Sequence, residues 1–111
     1  MPATWDEIRA FGLTLPHTIE STSDGTPAVS VHDRIFMQYR SDDDTVVIMS
    51  TTWEKRALLE SRDPAMSTVA HDDHVTVLLR LKEAELDNEV EEIITEAWRI
   101  AEIQAKQAGA L

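Results

Sequence analysis

A chain of 111 residues with 21 acidic and 10 basic side chains, net charge -11, is large enough to bury roughly 65% of its unfolded surface as one domain without a metal or disulfide. It has no cysteine, which excludes thiolate metal sites, redox pairs and a cysteine nucleophile and fits a reducing cytoplasm. Residues 1–7 are acidic with no apolar core, and the longest aliphatic runs, VVIM at 46–49 and VLL at 77–79, are too short to span a bilayer. A cytoplasmic protein without a membrane partner is therefore expected.

The first element is TWDEIRAFGLTLP, residues 4–16. Thr4 with Glu7 three positions on is a capping box that satisfies two orphan amides, and Pro16 stops the helix. Trp5, Ile8, Phe11 and Leu15 recur near the helical period and form its inward face. From there to Ser50 the period changes to two. IEST (19–22), AVSVH (28–32), RIFMQYR (34–40) and TVVIMS (45–50) are β-rich runs separated by SDGTP, HD and SDDD, which predicts antiparallel hairpins. Thr51 with Glu54 repeats the helix-start pattern and Asp63-Pro64 ends it, so 51–64 reads as a second helix. STVAHDD then leads into HVTVLLRLK (74–82), where alternating Val75, Val77, Leu79 and Leu81 mark a strand. From an N-cap at Asp87 a long amphipathic helix carries Val90, Ile93, Ile94, Ala97, Ala101 and Ala105 on one stripe. This order predicts a single α+β domain over 1–111, a two-layer sandwich. An antiparallel sheet of about five strands would be covered by N-terminal, middle and C-terminal helices.

Charge is unevenly spread. Residues 83–111 hold 8 acids and 2 basic side chains, over half of the net charge in the last quarter, so that end repels nucleic acid.

AHDDHVT, residues 70–76, has metal-ligating residue types. In a segment entering a strand, however, alternation sends His71 and His74 to opposite sides, and neither His17 nor His32 has a partner at a recognised spacing. It reads as a polar loop, with no metal. SDDD (41–44) lacks the ligand pattern of a calcium loop and reads as a hairpin tip. Ser21, Thr22 and Ser23 have no nucleophile elbow, and Gly12, Gly25 and Gly109 stand alone, so no phosphate-cradling loop can be built. Glu85, Glu89, Glu92 and Glu96 lie opposite the apolar stripe as a solvated face. Trp53 and Trp98 read as packing residues. No catalytic residue and no cofactor are expected, and the chain does not read as an enzyme.

Five basic residues remain. Arg34 and Arg40 stand at the two ends of one predicted strand, with Lys55, Arg56 and Arg62 on the second helix. Arg34, in a hairpin turn, can reach a phosphate, and the five form the candidate nucleic-acid contact set. In the competing reading they are solubilising charges balanced by Asp33, Asp42 and Glu54.

TWDEIRAFGLTLP, E…SDGTPAVSVHDRIF, the DP after the second helix, VLLRL and EEIITEAWR occur in an order and spacing that resemble the MmcQ/YjbR family of small bacterial proteins, over about residues 4–101. Leu15-Pro16, Gly25–Pro27, Arg34-Ile35-Phe36 and Ala97-Trp98-Arg99 carry most of the likeness. The resemblance implies a secretion-chaperone-like α+β domain, and DNA binding by structural analogy to winged transcription factors; it transfers no catalytic residues. Two departures stand out: AHDDHVT replaces an aromatic, Gly and Pro loop of relatives, and IAEIQAKQAGAL replaces an Ala-Pro and basic continuation, removing a tail contribution to phosphate binding. Two roles are thus expected of a small binding module. One is DNA contact through the Arg34 hairpin and the Lys55–Arg62 helix. The other is a protein partner or a homodimer through a sheet face or the C-terminal helix, favoured by the acidity.

Overall fold

The capping box at Thr4 forms as the spacing predicts: the Glu7 amide donates to Thr4 Oγ1 (3.3 Å) and the Thr4 amide to Glu7 Oε1 (3.2 Å). The computed structural model describes residues 3–23, 25–51, 66–70, 75–85 and 88–107. Helix α1 spans Trp5–Gly12 and buries Ile8 completely, with Trp5, Phe11 and Leu15 packed partly buried on the core. Gly12 is buried against the sheet, where an added Cβ would run into Met37 Cε, so the missing side chain sets how closely the helix approaches.

After a left-handed turn at His17 (φ 63°) come β1 (Thr18–Ser23), β2 (Thr26–Val31), β3 (Arg34–Arg40), β4 (Thr45–Thr51), β5 (Met66–Ala70) and β6 (Val75–Arg80). They form one antiparallel sheet in the order β1-β2-β3-β4-β6-β5. Helix α2 spans Asn88–Gln107 and packs across β3 and β4. Cross-strand partners Val29, Met37, Ile48 and Val77 make one buried row, and Val46 beside Leu79 extends it. The α2 stripe read from sequence, Val90, Ile93, Ile94, Ala97, Ala101 and Ala105, is buried in full. Each large aliphatic side chain withdrawn from water contributes about 1.5–3 kcal/mol, so this seam is the main favourable term. Both helices lie on this one face, which is the α+β two-layer arrangement expected. Phe36 is an extra residue in β3, since Ser30 pairs with Ile35 and Val29 with Met37; the bulge directs its ring into the core, fully buried.

Some boundaries differ from the sequence reading. The sheet has six strands among the described residues because Met66–Ala70, read as part of a lead-in, pairs with β6 from Met66↔Leu79 to Ala70↔Val75. Five residues without alternation carry no local strand signal; the pairing partner makes the strand. Thr51, read as a helix cap, is instead the last residue of β4, opposite Val75. β6 stops at Arg80 because Leu81–Glu83 turn into one 3₁₀ turn, with Leu81 buried and its amide bonded to the Asp44 carbonyl (3.0 Å). Residues 52–65, where a middle helix is expected, the His71–His74 segment and Asp87, expected as a cap, lie outside the described residues. No helix among the described residues is long and apolar enough to cross a membrane.

Candidate functional site

The turn His32-Asp33 joins β2 to β3 with both residues left-handed (φ 49° and 66°), the primed geometry that matches strand twist. Arg34 begins β3 opposite Val31, exposed, with no ion pair among the described residues. Arg40 ends the same strand. At about 3.3 Å per residue, roughly 20 Å of strand separates the two backbones, so they do not converge on one group. Arg40 is also occupied: Nε and Nη2 donate to the two carboxylate oxygens of Asp43 at 3.0 and 2.6 Å. That forked bond holds the Asp43 carboxyl below the usual carboxylate range and raises the guanidinium pKa further. A phosphate at Arg40 would have to displace a carboxylate already in place. Lys55, Arg56 and Arg62 lie outside the described residues.

Other cations are matched in the same way. Arg9 meets Asp6 (3.2 Å) and Glu20 (3.1 Å), Arg80 meets Glu83 (3.3 Å), and Lys106 meets Glu102 (4.0 Å). These exposed pairs add little stability, but each reduces the positive field that a nucleic acid would meet. Arg34, Lys82 and Arg99 are the cations without an ion pair among the described residues.

Two concavities flank α1. One is a groove of about 600 Å³ along α2, lined by Glu91, Glu92, Glu96 and Arg99, with Phe11 of α1 at its side. Positions 88, 91–92, 95–96 and 99 follow the helical repeat, so one flank of α2 supplies the acidic wall while α1 supplies the aromatic contact. The sequence pattern singles out Glu92 and Glu96 among these acids, as part of a solvated face, and does not mark Glu91. Glu92 is exposed, but Glu96 is half-buried beside a ring from a different helix. The other concavity, about 430 Å³, lies between α1 and the β1–β2 hairpin, with Trp5, Arg9, Glu20, Thr22 and Pro27 in its walls.

The imidazoles of His17 and His32 come within 5.0 Å, centroid to centroid, and His32 Nε2 lies 3.8 Å from Glu102 Oε2. Fifteen positions separate the two histidines, so spacing carried no signal. Among the described residues no three His, Asp or Glu side chains group to hold a metal ion. SDDD is the hairpin tip expected: Asp43 is taken by Arg40, and Asp44 (φ 52°) accepts from the Tyr39 hydroxyl at 2.6 Å. Trp98 packs against the core, as read, and its indole donates to the Pro16 carbonyl (2.9 Å), tying α2 to the α1–β1 connection.

Compared with known proteins, residues 13–100 match the sequence model of the family described as YjbR. No curated protein and no solved structure matches.

Proposed function

The chain belongs to the YjbR family, and from that premise we propose that it is a non-enzymatic binding module whose partner is a protein segment rather than nucleic acid. The observation that carries this reading is the matching of cations by acids: Arg9, Arg40, Arg80 and Lys106 are each already paired with a carboxylate. Nucleic-acid affinity comes from releasing counterions by bringing unpaired Lys and Arg to phosphates, and a net charge of -11 opposes that step. The groove of Phe11, Glu91, Glu92 and Glu96 supports the same reading, since acidic walls beside an aromatic ring suit a basic segment with one apolar anchor.

Fluorescence anisotropy tests it with two probes at low salt. A labelled Lys/Leu dodecapeptide should bind, weaken as salt rises, and lose at least fivefold in affinity in the Glu92→Gln/Glu96→Gln protein. A labelled DNA duplex should give no salt-dependent signal up to tens of micromolar. Duplex binding abolished by Arg34→Ala would overturn the proposal in favour of a second reading. In that reading Arg34, exposed at a hairpin tip without an ion pair among the described residues, leads DNA contact with Lys55, Arg56 and Arg62.

A further inference from the structure

We propose that the β1 edge of the sheet pairs with β1 of a second copy of this chain, joining two sheets into one across a two-fold axis. β1 lies at one end of the strand order, so one side of its backbone has no strand beside it. The pairing with β2 shows which groups face outward. Ser23↔Thr26 closes a two-residue turn, which makes that pair, Ser21↔Ala28 and Ile19↔Ser30 the hydrogen-bonded ones. The position of Pro27 agrees, because it faces Thr22 at a non-bonded pair where its missing N–H costs the hairpin nothing. The amides and carbonyls of Thr18, Glu20 and Thr22 therefore point out of the sheet edge.

Native edges are usually blocked by a proline, a lysine, a bulge or an inward charge. β1 has no proline, lysine or bulge, although it does carry an inward charge, Glu20, which shares the face of buried Val29 with α1. Its six residues pair with β2 in unbroken register, it contains no proline and no basic residue, and Ile19 is 55% exposed on it. Its one charge, Glu20, is answered by Arg9 at 3.1 Å. Two copies that each carry -11 repel, and an edge whose single acid is already paired with Arg9 is a place where they can meet at reduced cost.

The outward groups also restrict the register. Only residues of the same parity can pair, and a two-fold axis at Ser21 sets Glu20 opposite Thr22 of the copy and avoids placing Glu20 against itself. It also brings the two Ser21 side chains together. Ser21 Oγ is buried with no hydrogen-bond partner among the described residues, and after a χ1 rotation the equivalent hydroxyl across the axis can supply one. An axis normal to the sheet keeps both helix layers on one face, so the Trp5–Arg9 cleft of each copy continues into that of the other. A five-residue strand pair buries less than the roughly 1,000 Å² of a durable interface, so the association is weak and reversible.

Sedimentation velocity from 10 µM to 1 mM reads the outcome, together with amide exchange by NMR at the two extremes. The expected result is a monomer–dimer equilibrium that tightens as salt screens the net charge, with protection of the Thr18, Glu20 and Thr22 amides growing with concentration. Thr22→Pro removes one outward donor and leaves the β1–β2 ladder intact; Ile19→Lys places a charge on an exposed position. Each should weaken dimerisation at least tenfold with an unchanged far-UV spectrum and melting temperature. A monomer at 1 mM overturns the proposal. So does a dimer indifferent to both substitutions, or one lost instead in the Glu92→Gln/Glu96→Gln protein, which would place the contact on α2. The basic-peptide experiment is independent of these results.

Discussion

Replacing Ile8 by Ala tests the attachment of α1, on which both concavities depend. Ile8 has no exposed surface, and it is the one large side chain of α1 that is buried outright, with Trp5 and Phe11 only partly covered. The substitution deletes three carbons. At about 0.8 kcal/mol per buried methylene the lost transfer energy is about 2.4 kcal/mol. The void adds to it, because a helix held close to the sheet at Gly12 cannot settle inward to refill the space, and the total should come to about 3 kcal/mol. Ile103→Ala is the control: the same atoms leave a side chain that is 48% exposed, and the cost should stay near 0.5 kcal/mol. Urea unfolding followed by tryptophan fluorescence and far-UV circular dichroism measures both. The midpoint should fall steeply for Ile8→Ala at constant slope, since the surface exposed on unfolding hardly changes. Equal costs for the two variants would refute the packing of α1 described here, and with it the groove between Phe11 and the acids of α2.

Asp33→Gly should stabilise the protein by roughly 0.5–1 kcal/mol, because Asp33 sits at φ 66°, where only glycine is free of Cβ strain; a lower melting temperature for the variant would count against the primed turn. Tyr39 supplies a pH test, since its hydrogen bond to Asp44, reinforced by burial and the neighbouring negative charge, raises the phenol pKa above its ordinary value. A folded-state pKa raised above the unfolded one stabilises the fold below about pH 10 and loses that contribution as pH climbs through the folded value. Absorbance at 295 nm should therefore show one late phenolate transition, moved to lower pH by Asp44→Asn; an unchanged midpoint would show that Asp44 is not the cause.

Much of the fold was legible because its signals are local. The Thr4–Glu7 box spans three residues, the strand alternation spans two, and the α2 stripe repeats along one helix, so each can be read before anything is known of the neighbours. Met66–Ala70 was not legible, because a short strand at the outer side of β6 owes its state to its pairing partner. Thr51 misled for a related reason: a Thr with a Glu three positions on looks like a helix start, but pairing with Val75 extends β4 through that position.

The same division holds for the surface. Asp43 lies three residues after Arg40 across a tight turn, so their pairing could have been read from sequence and taken to remove Arg40 from the phosphate-binding candidates. Arg9–Glu20, His17–His32 and the approach of Phe11 to the acids of α2 join residues from different elements, and only the packing of α1 on the sheet brings them together. Composition fixes the net charge but not where it can act. With Arg9, Arg40, Arg80 and Lys106 each holding an acid, negative field persists where acids outnumber cations, and the Phe11 flank of α2, with Glu91, Glu92 and Glu96 beside Arg99, is one such place. In the role proposed for this flank, which combines excess charge with a ring that can desolvate an apolar side chain, a partner would have to satisfy both conditions at once. A bare polycation meets only the first, and that difference is what separates specific recognition by this domain from general attraction to an acidic surface.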